Sequence, residues 1–228
     1  PNANFTGTGS FTYTVIDDKG QIATATVHVS VGPNAVDDTA STDAETPIVV
    51  DAADGVLAND VGEDLVVTGH DAVDPAQGEL TIAADGSYEF TPTAEFSGVI
   101  AVNYTIEDEN GVEGSSTLSI TVAPVGKDDY YSTPYATPIE FDPAELTGND
   151  LGANLVVISA SSAVGGSLAY GGGKLVYTPA GGFAGAGSFR YTISDGASGI
   201  LSTATVHIAV GALAVDDDDE TPAGITLT

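Results

Sequence analysis

Apolar and polar residues alternate in short runs along the chain, and the period is two wherever it can be followed. In Val102-Asn103-Tyr104-Thr105-Ile106 the apolar side chains fall on one face, as on a half-buried strand, and Leu118, Ile120 and Val122 repeat the pattern. Leu80-Thr81-Ile82 and Tyr88-Glu89-Phe90 flank the turn-forming Ala84-Asp85-Gly86, which predicts a hairpin. Seven strands are predicted between residues 33 and 123: 37–42, 47–51, 65–70, 79–83, 87–91, 100–107 and 116–123. No segment carries a helical stripe. Seven short strands in about 90 residues suit an immunoglobulin-like sandwich.

Self-comparison extends this unit over the chain. Phe5-Thr6-Gly7 returns as Phe96-Ser97-Gly98 and Phe183-Ala184-Gly185. Phe11-Thr12-Tyr13-Thr14-Val15 returns as residues 102–106 and as Phe189-Arg190-Tyr191-Thr192-Ile193. Thr24-Ala25-Thr26-Val27-His28-Val29 matches Thr203-Ala204-Thr205-Val206-His207-Ile208. Asp37-Asp38 recurs as Asp128-Asp129 and Asp216-Asp217, spaced 91 and 88 residues apart. The chain thus reads as the last part of one repeat (1–32), two whole repeats (33–123 and 124–211) and the start of a fourth (212–228). An isolated hairpin is marginal in water, so neighbouring polypeptide, either another copy or more of a longer chain, is expected to complete the terminal pieces. Each repeat carries its own alternating core, which predicts an extended array of all-β immunoglobulin/cadherin-like sandwiches.

Charge narrows the partners. Four Lys and Arg stand against 33 Asp and Glu, a formal net charge of -29. Such a surface repels phosphate backbones and anionic lipid, so nucleic acid is excluded as a partner, and it attracts cations. With 42% hydrophobic residues in alternating runs, the chain builds a core rather than staying disordered. No apolar run is long enough to insert in a membrane. Cysteine is absent, which removes disulfides, thiolate metal sites and thiol nucleophiles. Methionine is absent too, from which an interior fragment or a processed product is expected.

Catalytic constellations are not found. His28 and His207 occupy equivalent outward strand positions, and His70 ends a strand alone. The acids come as loop clusters with no aromatic platform beside them, unlike a glycosidase pair. Gly172-Gly173-Lys174 is followed by Leu175 where a phosphate loop needs Ser or Thr. Phe11, Tyr13, Tyr104, Phe189 and Tyr191 are assigned to cores, and no enzymatic activity is expected.

The pattern Ala35-Val36-Asp37-Asp38, Leu57-Ala58-Asn59-Asp60, Ala84-Asp85-Gly86-Ser87-Tyr88 and Phe90-Thr91-Pro92 resembles the cadherin-like and bacterial immunoglobulin-like tandem repeats of large secreted, RTX-type adhesins. Pro1-Asn2-Ala3-Asn4-Phe5 and residues 11–15 match the later half of the same repeat. The resemblance implies a secreted or bacterial cell-surface location, partners among neighbouring repeats or copies of the same protein, a cell-surface or matrix ligand elsewhere in the parent, and stiffening by calcium. The third repeat departs from the pattern: Gly171-Gly172-Gly173 replaces the Asp-Gly hairpin, and the turn at Asp195-Gly196 is shortened.

Strand direction in an alternating sandwich gathers acids at one pole. The candidate metal ligands are Asp37, Asp38, Asp60, Glu107 and Asp108 in the second repeat, Asp128, Asp129, Asp150 and Asp195 in the third, and Asp216 and Asp217 in the fourth. Crowded carboxylates repel one another unless a cation neutralises them, and calcium takes about six to eight oxygens in flexible geometry. Because acids flank the Asp128-Asp129 junction on both sides, calcium is expected there more readily than at Asp216 and Asp217. The function expected is a structural extender or adhesive region. Alternatives are a subunit of an extracellular filament or S-layer, and a carbohydrate- or protein-binding module.

Overall fold

The computed structural model of the protein describes residues 2, 5–196 and 198–214. Two compact units divide the chain: residues 1–125 with 150–155 and 194–202, and residues 126–149 with 156–193 and 203 onward.

In the first unit, β1 (Gly7–Ile16) and β2 (Ile22–Val31) form an antiparallel hairpin with Phe11 opposite Val27 and Tyr13 opposite Ala25. Its turn is held by Asp17, whose Oδ1 accepts the Lys19 and Gln21 N–H groups at 2.9 and 2.7 Å. A seven-stranded sandwich follows: β3 (Asp38–Asp43), β4 (Ile48–Val50), β5 (Val66–His70), β6 (Gly78–Ile82), β7 (Tyr88–Pro92), β8 (Gly98–Glu107) and β9 (Glu113–Ala123). One sheet has the order β3-β9-β8-β5 and the other β4-β7-β6. All neighbours are antiparallel except β3, which runs parallel to β9 from Asp38 opposite Leu118 to Asp43 opposite Ala123. Each of the seven predicted strands is present, with ends that differ by at most three residues.

The alternation predicted for β8 and β9 is what builds the core. Val102, Tyr104, Ile106, Leu118, Ile120 and Val122 are buried beneath Phe90, Leu80 and Tyr88 of the facing sheet. Gly55 allows the crossing of the loop after β4 over the β6–β7 turn: a Cβ there would lie 2.2 Å from the Gly86 carbonyl oxygen. That same carbonyl accepts the Val56 N–H at 2.9 Å, which fixes the backbone carrying one of the acceptors described below.

The second sandwich repeats the plan with β10 (Asp129–Thr133), β11 (Ile139–Phe141), α1 (Pro143–Leu146), β12 (Val156–Val164), β13 (Gly166–Gly171), β14 (Lys174–Pro179), β15 (Gly185–Ser194) and β16 (Leu201–Val210). Its sheets have the orders β10-β16-β15-β12 and β11-β14-β13, and β10 is again parallel to β16. Phe141 packs edge-on to Tyr131 and Phe189, with ring centroids 4.9 and 5.3 Å apart. The Gly172-Gly173 turn has φ of 64° and 83°, the doubly left-handed pair of a two-residue hairpin. The four-residue helix α1 departs from the sequence reading, which found no helical stripe. Asp142 caps it through the Ala144 N–H and Glu145 returns the cap, but one turn is too short to carry a stripe.

Candidate functional site

In each sandwich the start of the first strand is tied to the core by a buried tyrosine. Tyr104 points inward from β8 and is 1% exposed. Its hydroxyl lies 2.8 Å from Asp38 Oδ2, 3.2 Å from the Val36 carbonyl and 3.1 Å from the Val56 carbonyl. Tyr191 on β15 makes the same set with Asp129 Oδ2 at 2.9 Å, the Leu146 carbonyl at 2.9 Å and the Lys127 carbonyl at 3.3 Å. One hydroxyl thus joins three segments distant in sequence: the strand start, the loop after the second strand, and the sixth strand. Burial raises the phenol's pKa in Tyr104, and the Asp38 hydrogen bond and the nearby Asp60 and Asp38 charges push it further. The phenol therefore remains a donor.

Around Tyr104 the acids differ in how well they are served. Asp37 is exposed, and its Oδ1 accepts from the Ser116 hydroxyl at 2.7 Å and the Thr117 N–H at 3.1 Å. Asp38 is half-buried. Burial raises its pKa above the usual carboxylate range, the Tyr104 and Asn59 contacts oppose this, and Asp37's charge adds to it. Asp60 Oδ1 accepts the Val36 N–H at 2.7 Å. Asp60 Oδ2 is buried and has no hydrogen-bond partner among the described residues. Burial raises the pKa of Asp60, the Val36 N–H lowers it, Asp38's charge raises it again, and the Tyr104 hydroxyl lowers it slightly.

Two of the remaining predicted ligands, Asp108 and Asp195, tie loops. Asp108 is buried in the β8–β9 turn, where its Oδ1 accepts the Asn110 and Val112 N–H groups, both at 2.9 Å. Removing this tie in Asp108→Ala is expected to cost about 1 kcal/mol, readable as a shift of the urea midpoint. Glu107 is half-buried at the end of β8, opposite Glu113. Asp195 is buried, with the Ser198 and Gly199 N–H groups on Oδ1 at 3.1 and 2.9 Å and the Ser198 hydroxyl on Oδ2. Asp150 is half-buried beside Leu151, which bridges to Val125.

In the second unit, Asp128 is exposed, with the Thr205 N–H on Oδ1 at 2.8 Å and His207 Nε2 3.1 Å from Oδ2. The Thr205 hydrogen bond, then that of His207, lowers its pKa. Burial raises that of Asp129 against the Tyr191 hydrogen bond. Asp216 and Asp217 lie outside the described residues.

Among the described residues no three His, Cys, Asp or Glu side chains converge on one point. The structure does bring Asp38 to the Tyr104 hydroxyl and Asp60 to the Val36 N–H, while Asp37 turns to Ser116 and Thr117. A hard divalent cation suits the donors there: oxygen only, two opposed carboxylates, and one buried oxygen without a donor. Asp38 and Asp60 would hold it, leaving its other positions to water or further oxygens. Sequence reasoning took Tyr104 and Tyr191 as ordinary core residues. The available signal was that tyrosine, never phenylalanine, stands at this position in all three repeats, at 13, 104 and 191.

These sandwiches belong to known domain families. The bacterial Ig domain model matches residues 1–30 and 122–209, more than half of the chain, and the bacterial cadherin-like domain model matches residues 32–124. The chain therefore belongs to the bacterial Ig domain family and carries a cadherin-like domain between its Ig-like parts. Such domains are typically extracellular and non-enzymatic, and cadherin-like domains generally bind calcium. No curated protein matches the chain. Solved structures that it overlaps include an endo-fucoidan hydrolase of glycoside hydrolase family 107 (18% identity, 94% of this chain and 35% of that one, TM-score 0.28). Others are the human desmocollin-1 ectodomain (11%, 92% and 48%, 0.32) and a SusE-like surface polysaccharide-binding protein from the Bacteroides thetaiotaomicron heparin utilisation locus (11%, 88% and 43%, 0.31). The chain spans roughly a third to a half of these proteins, and at such TM-scores the overlaps carry no functional argument. Among the described residues no helix is long and apolar enough to cross a membrane.

Proposed function

We propose that this chain is part of the extender or adhesive region of a large extracellular bacterial surface protein, with calcium stiffening the acidic ends of its sandwiches. The observation that carries the calcium reading is the buried, partnerless Asp60 Oδ2 facing the Asp38 charge. Folding places two carboxylates where no described protein group meets the hydrogen-bond geometry for one of their oxygens, and a divalent cation would answer it. A site of this kind sits at the start of the domain, so its occupancy would restrain the chain leading into the sandwich. Asp128 and Asp129 stand at the corresponding positions of the second unit, and there calcium would compete with Thr205 and His207 for Asp128.

Extracellular calcium modules bind at about 0.1–1 mM. At a tenfold excess of calcium over the dissociation constant, one site adds about 1.4 kcal/mol. Titration calorimetry of residues 33–211 with calcium is expected to show heat that is lost in part in an Asp128→Ala, Asp129→Ala variant and in part in Asp38→Asn, Asp60→Asn. Unaltered binding in both variants would remove the calcium reading.

A further inference from the structure

The β1–β2 hairpin exposes a face that its counterparts bury. Phe11, Tyr13, Val15 and Val29 are 58%, 46%, 51% and 46% exposed. The residues matching the first three by sequence, Val102, Tyr104 and Ile106 in the first sandwich and Phe189, Tyr191 and Ile193 in the second, are at most 2% exposed. Phe5, 41% exposed, matches Phe96, which packs on the first core. A depression of about 610 Å³ lies on this face, lined by Phe5, Gly9, Phe11, Val29 and Val31 among others.

We infer that the hairpin is the receiving half of a sandwich, and that its occupant is the front half of a repeat of this same kind. The two complete sandwiches define what covers this face. A first strand lies parallel on the last one, β3 on β9 and β10 on β16. A three-stranded sheet covers the inward side chains, β4-β7-β6 or β11-β14-β13. β2 is the last strand of its repeat, with β1 on one edge and no strand on the other in its two-stranded sheet.

Tyr13 specifies the occupant further. The hydroxyls of Tyr104 and Tyr191 each lie within hydrogen-bond distance of a carbonyl just before the first strand and of the Asp two residues after it, Val36 with Asp38 and Lys127 with Asp129. Tyr13 stands at that position with its ring half-open. The covering strand must therefore offer a carbonyl and, two residues on, a carboxylate. A partner that is merely apolar, including a second hairpin packed face to face, does not meet this demand.

The test grafts a front half ahead of the full chain. In one version residues 124–178 precede Pro1, so that Thr178 meets Pro1 as it meets Pro179 in its own repeat; in the other, residues 32–91 precede Pro1, as Thr91 precedes Pro92. Hydrogen exchange of residues 11–16 and 23–29 is expected to slow at least about 100-fold in one or both grafts relative to the 228-residue chain. Tyr13→Phe in the protected graft is expected to return at least about tenfold of that protection. Unchanged exchange in both grafts overturns the inference. So does protection in the ungrafted chain that rises with concentration alongside a dimer in sedimentation, since a second copy is then the occupant. Protection indifferent to Tyr13→Phe overturns the specified carboxylate contact.

Discussion

Tyr104→Phe is expected to lower the unfolding free energy of the first unit by about 2–4 kcal/mol, although it removes a single oxygen and leaves the ring's packing in place. An ordinary hydrogen bond contributes about 1 kcal/mol net, but a buried acceptor stripped of its donor costs about 1–3 kcal/mol and a charged one more. Here one hydroxyl faces three acceptors, the Val36 and Val56 carbonyls and the Asp38 carboxylate. The substitution leaves the carboxylate half-buried beside Asp60 with its only hydroxyl donor gone. Tyr191→Phe is expected to act alike on the second unit, where Asp129 is itself buried. Tyr177→Phe is the control: it is as well buried, but its hydroxyl meets one acceptor, the Val164 carbonyl at 2.7 Å, and about 1 kcal/mol is expected. Urea unfolding of the three variants decides the matter. Equal losses in all three would mean that the tyrosines are held by packing and that the knot is incidental.

The strands were legible because alternation is the physical requirement of a half-buried sheet, and Val102 to Ile106 state it without ambiguity. The helix α1 was not, because a single capped turn leaves no period to read. The acidic positions were legible as a cluster, but their division of labour was not. Asp108 and Asp195 answer backbone N–H groups and hydroxyls in their own loops, and Asp37 answers Ser116 and Thr117 on β9, a geometry that composition does not reveal. Asp60 differs from them in having one buried oxygen without a hydrogen-bond partner among the described residues, which depends on how the loop before β5 closes against Val36. The knot lay in plain view as a tyrosine and an Asp-Asp pair at matching positions, yet their contact spans 66 residues and is visible only once the sheets are assembled.

Asp60→Asn is expected to stabilise the first unit by about 1 kcal/mol at neutral pH without calcium, and to lose the stabilisation that calcium is proposed to give the native chain. Asparagine keeps an oxygen for the Val36 N–H and turns an N–H₂ toward the place where Oδ2 stood, supplying a donor beside the Asp38 charge. The same reasoning fixes the pH dependence. Burial, the largest influence on both, raises the folded-state pKa of Asp38 and Asp60 above the ordinary carboxylate value. Their protonated forms therefore add stability that is complete below that ordinary value and is lost as pH rises through the raised one. Acidification of the native chain from neutrality is thus expected to stabilise the first unit at first. Asp85 has the opposite sign, its pKa lowered by the Ser87 hydroxyl and N–H, so its contribution is lost on further acidification. Asp60→Asn removes one of the two raised carboxylates and relieves the other of its neighbour's charge, so the early rise flattens. On the proposed calcium reading, the cation would compete with those protons for the same oxygens and is expected to stabilise the native chain most where they are ionised. Thermal unfolding of both proteins at pH 5 and 7, with and without 10 mM calcium, reads all of this at once. A calcium gain in Asp60→Asn equal to that of the native chain would show that the cation binds elsewhere.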